Sequence, residues 1–215
     1  MYKVIMFDLD GTITDSGKAI MTSVSIALSR MGYENEPEDK LRTFIGPSLF
    51  DSFKREYPFS DEEAWKAVDI YRKVYGECIM YEVTVYDGIP ELLKTLREKG
   101  FSVYLITSKP IAFSSKIIEH IGLSDFFTKE IGPDLKDPCS DKERLIKRAI
   151  EEDSLKKEEC LMIGDTFFDI KGAVLAGVDS VGVTYGFGLK EDLIKSGATY
   201  IADSASEIPA VAGLF

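Results

Sequence analysis

The fold of this chain is decided by an N-terminal stretch that reads VIMFDLDGT, residues 4–12. Its first four residues are continuously apolar, which is typical of a strand buried on both faces of a parallel sheet. Asp8, Asp10 and Gly11 follow directly, and residues two apart on an extended chain point to the same side. We therefore expect Asp8 and Asp10 to converge on one site, where Gly11 lets the backbone turn and a ligand approach closely.

Further apolar stretches alternate with amphipathic helical patterns along most of the 215 residues. The predicted strands are residues 4–7, 101–106, 127–131, 159–163, 180–184 and 199–202. The helices between them have readable ends, as at residues 89–99, where Pro90 lies in the first turn and Gly100 follows the last. A helix over residues 141–152 has the same apolar periodicity. This succession predicts an α/β fold with a doubly wound, Rossmann-like parallel sheet.

Residues 16–82 interrupt this alternation, because they contain helical patterns and no convincing strand. Ser16 is suited to cap the first of these helices, and Ser60 with Glu63 predicts a capping box for a later one. We favour an inserted all-helical cap over residues 16–82, with a core of residues 1–15 and 83–215. The alternative is a single domain in which these helices pack on the sheet, although a crossover between parallel strands normally needs only one helix.

Composition and charge exclude several classes of function. The chain has 26 Lys and Arg against 37 Asp and Glu, a net charge of −11, so nucleic acid and anionic membranes are not expected partners. Cys78, Cys139 and Cys160 are too widely spaced for a zinc site or a disulfide framework, and His120 is the single histidine. With no export signal and no membrane-spanning apolar run in the sequence, we expect a cytoplasmic location.

Acidic residues follow two of the predicted strands. Asp8 and Asp10 come after the first, and Asp165 with Asp169 come after the strand over residues 159–163. Ligands of open α/β sheets bind at the carboxyl ends of the strands, so these four carboxylates are expected at one site. Oxygen ligands in this number are typical of a hard divalent cation such as Mg²⁺.

Residues suited to hold a phosphate follow the strand over residues 101–106. Thr107 and Ser108 offer a hydroxyl and backbone N–H groups just before a helix. Lys142, near the start of another helix, is positioned to supply positive charge. Lys136, two residues before Pro138, is the alternative lysine, and we favour Lys142 because it directly precedes a strong amphipathic helix.

Together these residues resemble the four motifs of the haloacid dehalogenase superfamily of phosphohydrolases. The resemblance rests on DLDGT at residues 8–12, Thr107, Lys142, and Gly164-Asp165 with Asp169, and the helical insertion is similar to that superfamily's C1 cap. The segments FIGPSL (44–49), ITSKP (106–110) and VGVTYG (181–186) further resemble bacterial phosphoglycolate phosphatase-like and 5′-nucleotidase-like proteins.

The resemblance implies an enzyme that hydrolyses phosphomonoesters through an aspartyl-phosphate. Asp8 would be the nucleophile, and Asp10 would protonate the leaving oxygen and later take a proton from water. Thr107, the Ser108 amide and Lys142 would hold the phosphoryl oxygens. Mg²⁺ would be held by the side chains of Asp8 and Asp165 and by the Asp10 carbonyl, with Asp169 beside it or orienting the lysine. The residues expected to bind substrate or phosphate are Leu9, Gly11, Ser108, and Gly46 and Pro47 of the cap.

The expected substrate is a small phosphorylated metabolite, with phosphoglycolate and a nucleoside monophosphate as the leading candidates. A phosphomutase of the β-phosphoglucomutase type would share the nucleophile and the cap. A phosphate-accepting switch similar to a response-regulator receiver would also use an aspartate, Mg²⁺, a threonine and a lysine. The sequence leaves the oligomeric state, monomer or dimer, undetermined.

Overall fold

A six-stranded parallel sheet is the centre of the computed structural model, which describes residues 1–135 and 141–215. All five neighbouring strand pairs are parallel. In spatial order the strands are β5 (Lys129–Ile131), β4 (Ser102–Ile106), β1 (Val4–Phe7), β6 (Cys160–Gly164), β7 (Asp179–Val183) and β8 (Tyr200–Ala202). The predicted parallel α/β sheet is confirmed. The chain first builds the sheet outward from β1 in one direction and then continues on the other side of β1, from β6.

Six helices connect and flank these strands. They are α5 (Ile89–Glu98), α6 (Ile111–His120), α7 (Lys142–Glu152), α8 (Phe167–Ala176), α9 (Lys190–Lys195) and α10 (Ile208–Val211). Because right-handed crossovers in opposite directions along a sheet fall on opposite faces, α5 and α6 cover one face and α7 to α9 the other. A buried cluster on the second face joins Met6 and Met162 of the strands to Ile146 of α7 and Ala173 of α8.

The chain forms two compact units, of which the first combines Met1–Asp15 with Val85–Phe215 and contains the sheet. The second is Ser16–Thr84, and its described elements before the strand that begins at Thr84 are helical. These are α1 (Gly17–Arg30), α2 (Glu38–Arg42), α3 (Leu49–Glu56), α4 (Asp61–Glu77) and a short 3₁₀ turn, Ile79–Tyr81. Two further strands, β2 (Thr14–Asp15) and β3 (Thr84–Val85), form a small separate sheet.

The predicted helix start at Ser60 is confirmed. The Glu63 N–H donates to Ser60 Oγ at 3.2 Å, and the Ser60 N–H donates to Glu63 Oε2 at 2.8 Å, which is a complete capping box. The expected cap at Ser16 is wrong in one respect, because the Ser16 side chain makes no capping hydrogen bond to α1. Its φ of −110° and ψ of 5° differ from the extended backbone that a capping side chain requires.

Helix length and hydropathy bear on membrane insertion. Across residues 1–135 and 141–215, the structure has no helix that is both long enough and apolar enough to cross a bilayer.

Candidate active site

The site is built at the carboxyl end of β1, where the sheet reverses its direction of growth. Asp8 directly follows β1, and its N–H donates to the carbonyl of Ile163 in β6 at 2.9 Å. This bond holds the start of the loop after β1 against the neighbouring strand. The Asp8 side chain is buried at the point where open α/β sheets bind their ligands.

Lys142 connects the ends of β1 and β4 with the first turn of α8 through one ammonium group. It is the first residue of α7, and its side chain is almost completely buried. Its Nζ lies 2.6 Å from Asp8 Oδ1 and 2.8 Å from Asp169 Oδ1, and it donates to the Ile106 carbonyl at 2.9 Å. The alternative residue Lys136 lies outside the described residues, whereas Lys142 is at the centre of the site.

Asp165 and Asp169 reach the site from the junction of β6 and α8. The two carboxylate oxygens of Asp169 have different partners. Its Oδ1 pairs with Lys142, and its Oδ2 accepts from the Thr166 N–H at 3.0 Å and from Thr166 Oγ1 at 2.7 Å. Asp165 is fully buried, and its Oδ1 accepts from Thr12 Oγ1 at 3.3 Å. The hydrogen bond between Thr12 and Asp165 therefore holds the loop after β1 against the segment that leads into α8.

The electrostatic balance of this group is unfavourable without further positive charge. Burial, opposed by Lys142 and reinforced by Asp169 and Asp10, raises the pKa of Asp8 to about 7. Burial together with the charges of Asp169 and Asp8 raises the pKa of Asp165 well above its usual range. Burial acts to lower the pKa of Lys142, but the two neighbouring carboxylates outweigh it and raise the pKa.

A divalent cation fits this set of donors. Within the described parts of the chain, Asp8, Asp165 and Asp169 each offer a carboxylate oxygen, and these oxygens lie within 4.8 Å of one another. All three residues are buried, and Lys142 pairs with two of them, Asp8 and Asp169. Hard oxygen donors with excess negative charge are the ligands that Mg²⁺ prefers. The donor chemistry of Asp8, Asp165 and Asp169 therefore suits a divalent cation.

Asp10 lies beside this cluster with a different partner. Its Oδ1 lies 3.0 Å from the Nζ of Lys109, whose side chain is 6 % exposed. The carboxylate of Asp10 is thus directed to a lysine. Lys109 lies within the TSKP segment, residues 107–110, and no role was expected for it.

Thr107 and Ser108 follow β4 as predicted. Thr107 is buried, its N–H donates to the Ile131 carbonyl at 3.0 Å, and its Oγ1 accepts from the Lys109 N–H at 3.1 Å. The Thr107 hydroxyl therefore organises the turn before α6. Ser108 is partly exposed in that turn.

The remaining predicted binding residues differ in their surroundings. The side chain of Leu9 is fully buried, so any contact with phosphate falls to its backbone. The Gly11 N–H donates to the Thr14 carbonyl at 2.7 Å, and a Cβ at Gly11 would lie 2.1 Å from Asp165 Oδ2. Gly11 thus provides space for Asp165. Gly46 and Pro47 lie in the second unit, between α2 and α3, and their role in substrate binding stays a prediction.

Sequence reasoning missed three contacts of this site: those of Lys109, Thr12 and the loop after β7. The Phe187 N–H in that loop donates to Asp165 Oδ2 at 2.7 Å. Lys109 and Thr12 lie within motifs quoted from the sequence, so their position was a usable signal. A backbone N–H has no sequence signal of its own. The two glycines that flank Phe187 are the sequence feature that indicates a close approach of this loop to another segment.

Comparison with known proteins agrees with this geometry. Residues 5–183 match the family model described as haloacid dehalogenase-like hydrolase. A 5′-nucleotidase of Pseudomonas aeruginosa is 41 % identical over 206 residues, covering 95 % of this chain and 93 % of that protein. A phosphoglycolate phosphatase of Colwellia psychrerythraea is 30 % identical over 214 residues, covering 96 % and 95 %. The crystal structure of a predicted phosphatase from Clostridium acetobutylicum has a TM-score of 0.95 and 40 % identity, with 100 % of both chains covered.

Proposed function

This chain belongs to the haloacid dehalogenase-like hydrolase family and is a phosphatase, and we propose that it hydrolyses a small phosphomonoester through a covalent intermediate on Asp8. The observation that carries the proposal is the placement of Asp8, buried at the end of β1 and 2.6 Å from the Lys142 ammonium. The relatives named as a 5′-nucleotidase and a phosphoglycolate phosphatase support a nucleoside monophosphate or phosphoglycolate as the substrate.

In the proposed first step, an oxygen of Asp8 attacks phosphorus and the bond to the ester oxygen breaks. A carboxylate is a suitable acceptor for a phosphoryl group, and the product is an aspartyl-phosphate. Lys142 supports this step by pairing with Asp8, which favours the ionised, nucleophilic carboxylate against the effect of burial. Water then attacks the phosphorus of the intermediate, the bond between phosphorus and the Asp8 oxygen breaks, and inorganic phosphate leaves with Asp8 restored.

Asp10 is proposed to move the protons of both steps. As an acid it would give a proton to the leaving ester oxygen, and as a base it would take one from the attacking water. Lys109 holds the Asp10 carboxylate through its ion pair. Proton donors and acceptors of this kind contribute roughly 10² to 10⁴ in rate, so the orientation of Asp10 matters for turnover.

Mg²⁺ is the proposed cofactor, held by the side chains of Asp8 and Asp165 and by the carbonyl of Asp10. When bound, the ion would neutralise charge on the phosphoryl oxygens and on the carboxylates. Asp169 would not need to be a direct ligand, because its two oxygens already hold Lys142 and Thr166.

The phosphoryl oxygens are proposed to be held by Lys142, the Thr107 hydroxyl and the Ser108 N–H. These donors lie at the ends of β4 and at the start of α7, and phosphoryl transfer spreads negative charge over three equatorial oxygens. The helical unit Ser16–Thr84 is the proposed cap, and Gly46 and Pro47 are its proposed contribution to substrate choice.

The proposal is tested by phosphate release from p-nitrophenyl phosphate, phosphoglycolate and nucleoside monophosphates. We expect activity with Mg²⁺, none after EDTA, and a loss of at least about 10³-fold in Asp8→Asn, which removes the attacking oxygen's charge. Asp125→Asn changes an exposed aspartate of the same unit and is the matched control.

Three results would contradict the proposal in distinguishable ways. Full activity in Asp8→Asn would exclude the covalent mechanism. An isomerised sugar phosphate without free phosphate would identify a phosphomutase. A phosphoryl-protein that persists without turnover would identify a receiver-like switch.

A further inference from the structure

The loop that follows β7 lies directly against Asp165. It reads TYGFG, residues 184–188, and its Phe187 N–H donates to Asp165 Oδ2 at 2.7 Å. The other oxygen of Asp165 accepts from Thr12 Oγ1 at 3.3 Å. Both oxygens of this buried carboxylate are therefore held by groups that come from two different loops.

The approach of this loop leaves no space for side chains at its glycines. A Cβ at Gly186 would lie 2.3 Å from the Gly11 carbonyl oxygen and 2.4 Å from Asp165 Cβ. A Cβ at Gly188 would lie 2.0 Å from the Asp165 carbonyl oxygen. Since the colliding atoms are mostly backbone, they cannot rotate away, and both positions require glycine for reasons of space.

The loop is anchored on both sides of Phe187. Before it, the Tyr185 hydroxyl donates to the Thr12 carbonyl at 3.0 Å, and Thr184 Oγ1 donates to Asp203 Oδ1 at 2.6 Å. After it, Lys190 Nζ donates to the same Asp203 oxygen at 3.0 Å. These bonds fix the loop to the segments that follow β1 and β8, so the Phe187 N–H has a defined position.

We propose that the loop over residues 184–188 is a positioning element for the metal site, in which the Phe187 N–H sets the rotation of the Asp165 carboxylate. The inference rests on the proposed function, because Asp165 is there a side-chain ligand of Mg²⁺. A carboxylate among like charges has no favourable orientation of its own, and a fixed N–H donor supplies one before the cation arrives. Partners of this kind contribute about 10- to 100-fold to metal affinity.

The sharpest test removes the Phe187 N–H alone. Phe187→phenyllactic acid, introduced by nonsense suppression, replaces the amide with an ester and keeps the aromatic side chain. We expect Mg²⁺ measured by titration calorimetry on the full chain to bind about 10- to 100-fold more weakly. Phe187→Ala keeps the N–H, is the matched control, and is expected to stay within about twofold of the unmodified chain.

A second variant and a second measurement separate positioning from folding. Tyr185→Phe removes only the bond to Thr12, and we expect about three- to tenfold weaker Mg²⁺ binding, below the effect of losing the Asp165 contact itself. Thermal unfolding in EDTA is recorded for every variant. A loop with only a structural role would lower the unfolding temperature and leave the Mg²⁺ dissociation constant unchanged.

The outcomes distinguish this inference from the proposed function. If the unmodified chain binds Mg²⁺ and the ester variant binds it equally well, the positioning role is wrong while the proposed function stands. If the unmodified chain binds no Mg²⁺, the metal part of the proposed function is wrong, and the positioning role with it. Weaker binding in the ester variant and unchanged binding in Phe187→Ala would support the inference.

Discussion

The Lys109–Asp10 pair shows how one side chain can control another at the residue scale. The Lys109 Nζ lies 3.0 Å from Asp10 Oδ1, and both side chains are largely buried. Breaking a buried pair by removing one partner is costly, so the ion pair favours an Asp10 carboxylate that points to Lys109. If Asp10 transfers protons, Lys109 decides where its carboxylate points.

Lys109→Met tests this relation through the leaving group. An alkyl phosphate needs a proton on its departing oxygen, whereas p-nitrophenolate departs without one. We expect kcat/KM for the alkyl phosphate to fall about 100-fold, and that for p-nitrophenyl phosphate to fall much less. Lys94→Met, at an exposed lysine of α5, is the control. Equal losses for both substrates would show that Lys109 does not act through Asp10.

The residues that sequence reasoning identified share one property. Asp8, Thr107 and Asp165 each follow an apolar strand directly, so the rule that ligands bind at carboxyl strand ends was sufficient to select them. Lys142 was selected because it directly precedes a predicted helix, and Lys136 remained the alternative lysine. The position of Lys109 directly after Thr107 and Ser108 placed it near the site, but its pairing with Asp10 depends on the path of the turn after β4 and not on the residue types alone.

At the scale of elements, the position of Lys142 depends on how closely α7 and α8 approach. Gly172 of α8 faces the first turn of α7, where an added Cβ would lie 2.6 Å from Lys142 Cβ and 2.9 Å from the Glu143 nitrogen. The absence of a side chain at Gly172 therefore allows Lys142 to start α7 within reach of Asp8. Helix packing and the Lys142–Asp8 ion pair are linked at this contact.

Gly172→Ala is expected to disturb both the packing of α8 against α7 and the position of Lys142. Alanine favours a helix over glycine by about 1 kcal/mol, but overpacking costs about 1 to 3 kcal/mol, so we expect a net loss of stability. Displacement of Lys142 should also lower kcat/KM by about tenfold or more. Urea unfolding and phosphate release measure the two effects. Val174→Ala, on the exposed side of α8, is the control, and a more stable Gly172→Ala with full activity would contradict the expected clash.

Apolar runs predicted the six strands of the main sheet, with ends displaced by at most two residues. The predicted strand over residues 127–131 begins only at Lys129, because Ser124–Phe126 forms a 3₁₀ turn just before it. The strands Thr14–Asp15 and Thr84–Val85 were not predicted. Two residues carry no periodicity, and their pairing depends on how the chain leaves and re-enters the sheet unit.

The net charge of −11 describes the whole molecule poorly, because its most consequential acidic groups are buried. Lys142 pairs with Asp8 and Asp169, and Asp165 lies beside them, so the ionised forms of these three carboxylates carry more negative charge than this lysine balances. From composition alone, polyanionic partners were not expected. Composition gave no sign that the site suits a cation, which the motifs and the geometry indicate.

This buried charge predicts how the stability of the metal-free protein depends on pH. The pKa of Asp8 is raised from its reference value of 3.8, taken for the unfolded state, to about 7 in the folded protein. Between pH 3.8 and about pH 7 the folded state therefore binds more protons than the unfolded state. Stability must then fall as pH rises through this window, by about 1.4 kcal/mol per pH unit for each such proton. The raised pKa of Asp165 acts in the same direction. The raised pKa of Lys142 contributes stability that is constant below its reference value of 10.5.

Urea unfolding at pH 5, 6, 7 and 8 in EDTA and in Mg²⁺ measures this dependence. We expect the free energy of unfolding in EDTA to decrease from pH 5 to 7, and Mg²⁺ to remove most of the decrease because the cation replaces the protons on the carboxylates. Asp8→Asn lacks one titrating group and should show a shallower slope in EDTA. A metal-free protein whose stability is constant or rises between pH 5 and 7 would mean that these carboxylates are already compensated, and the case for a cation at this site would lose its electrostatic basis.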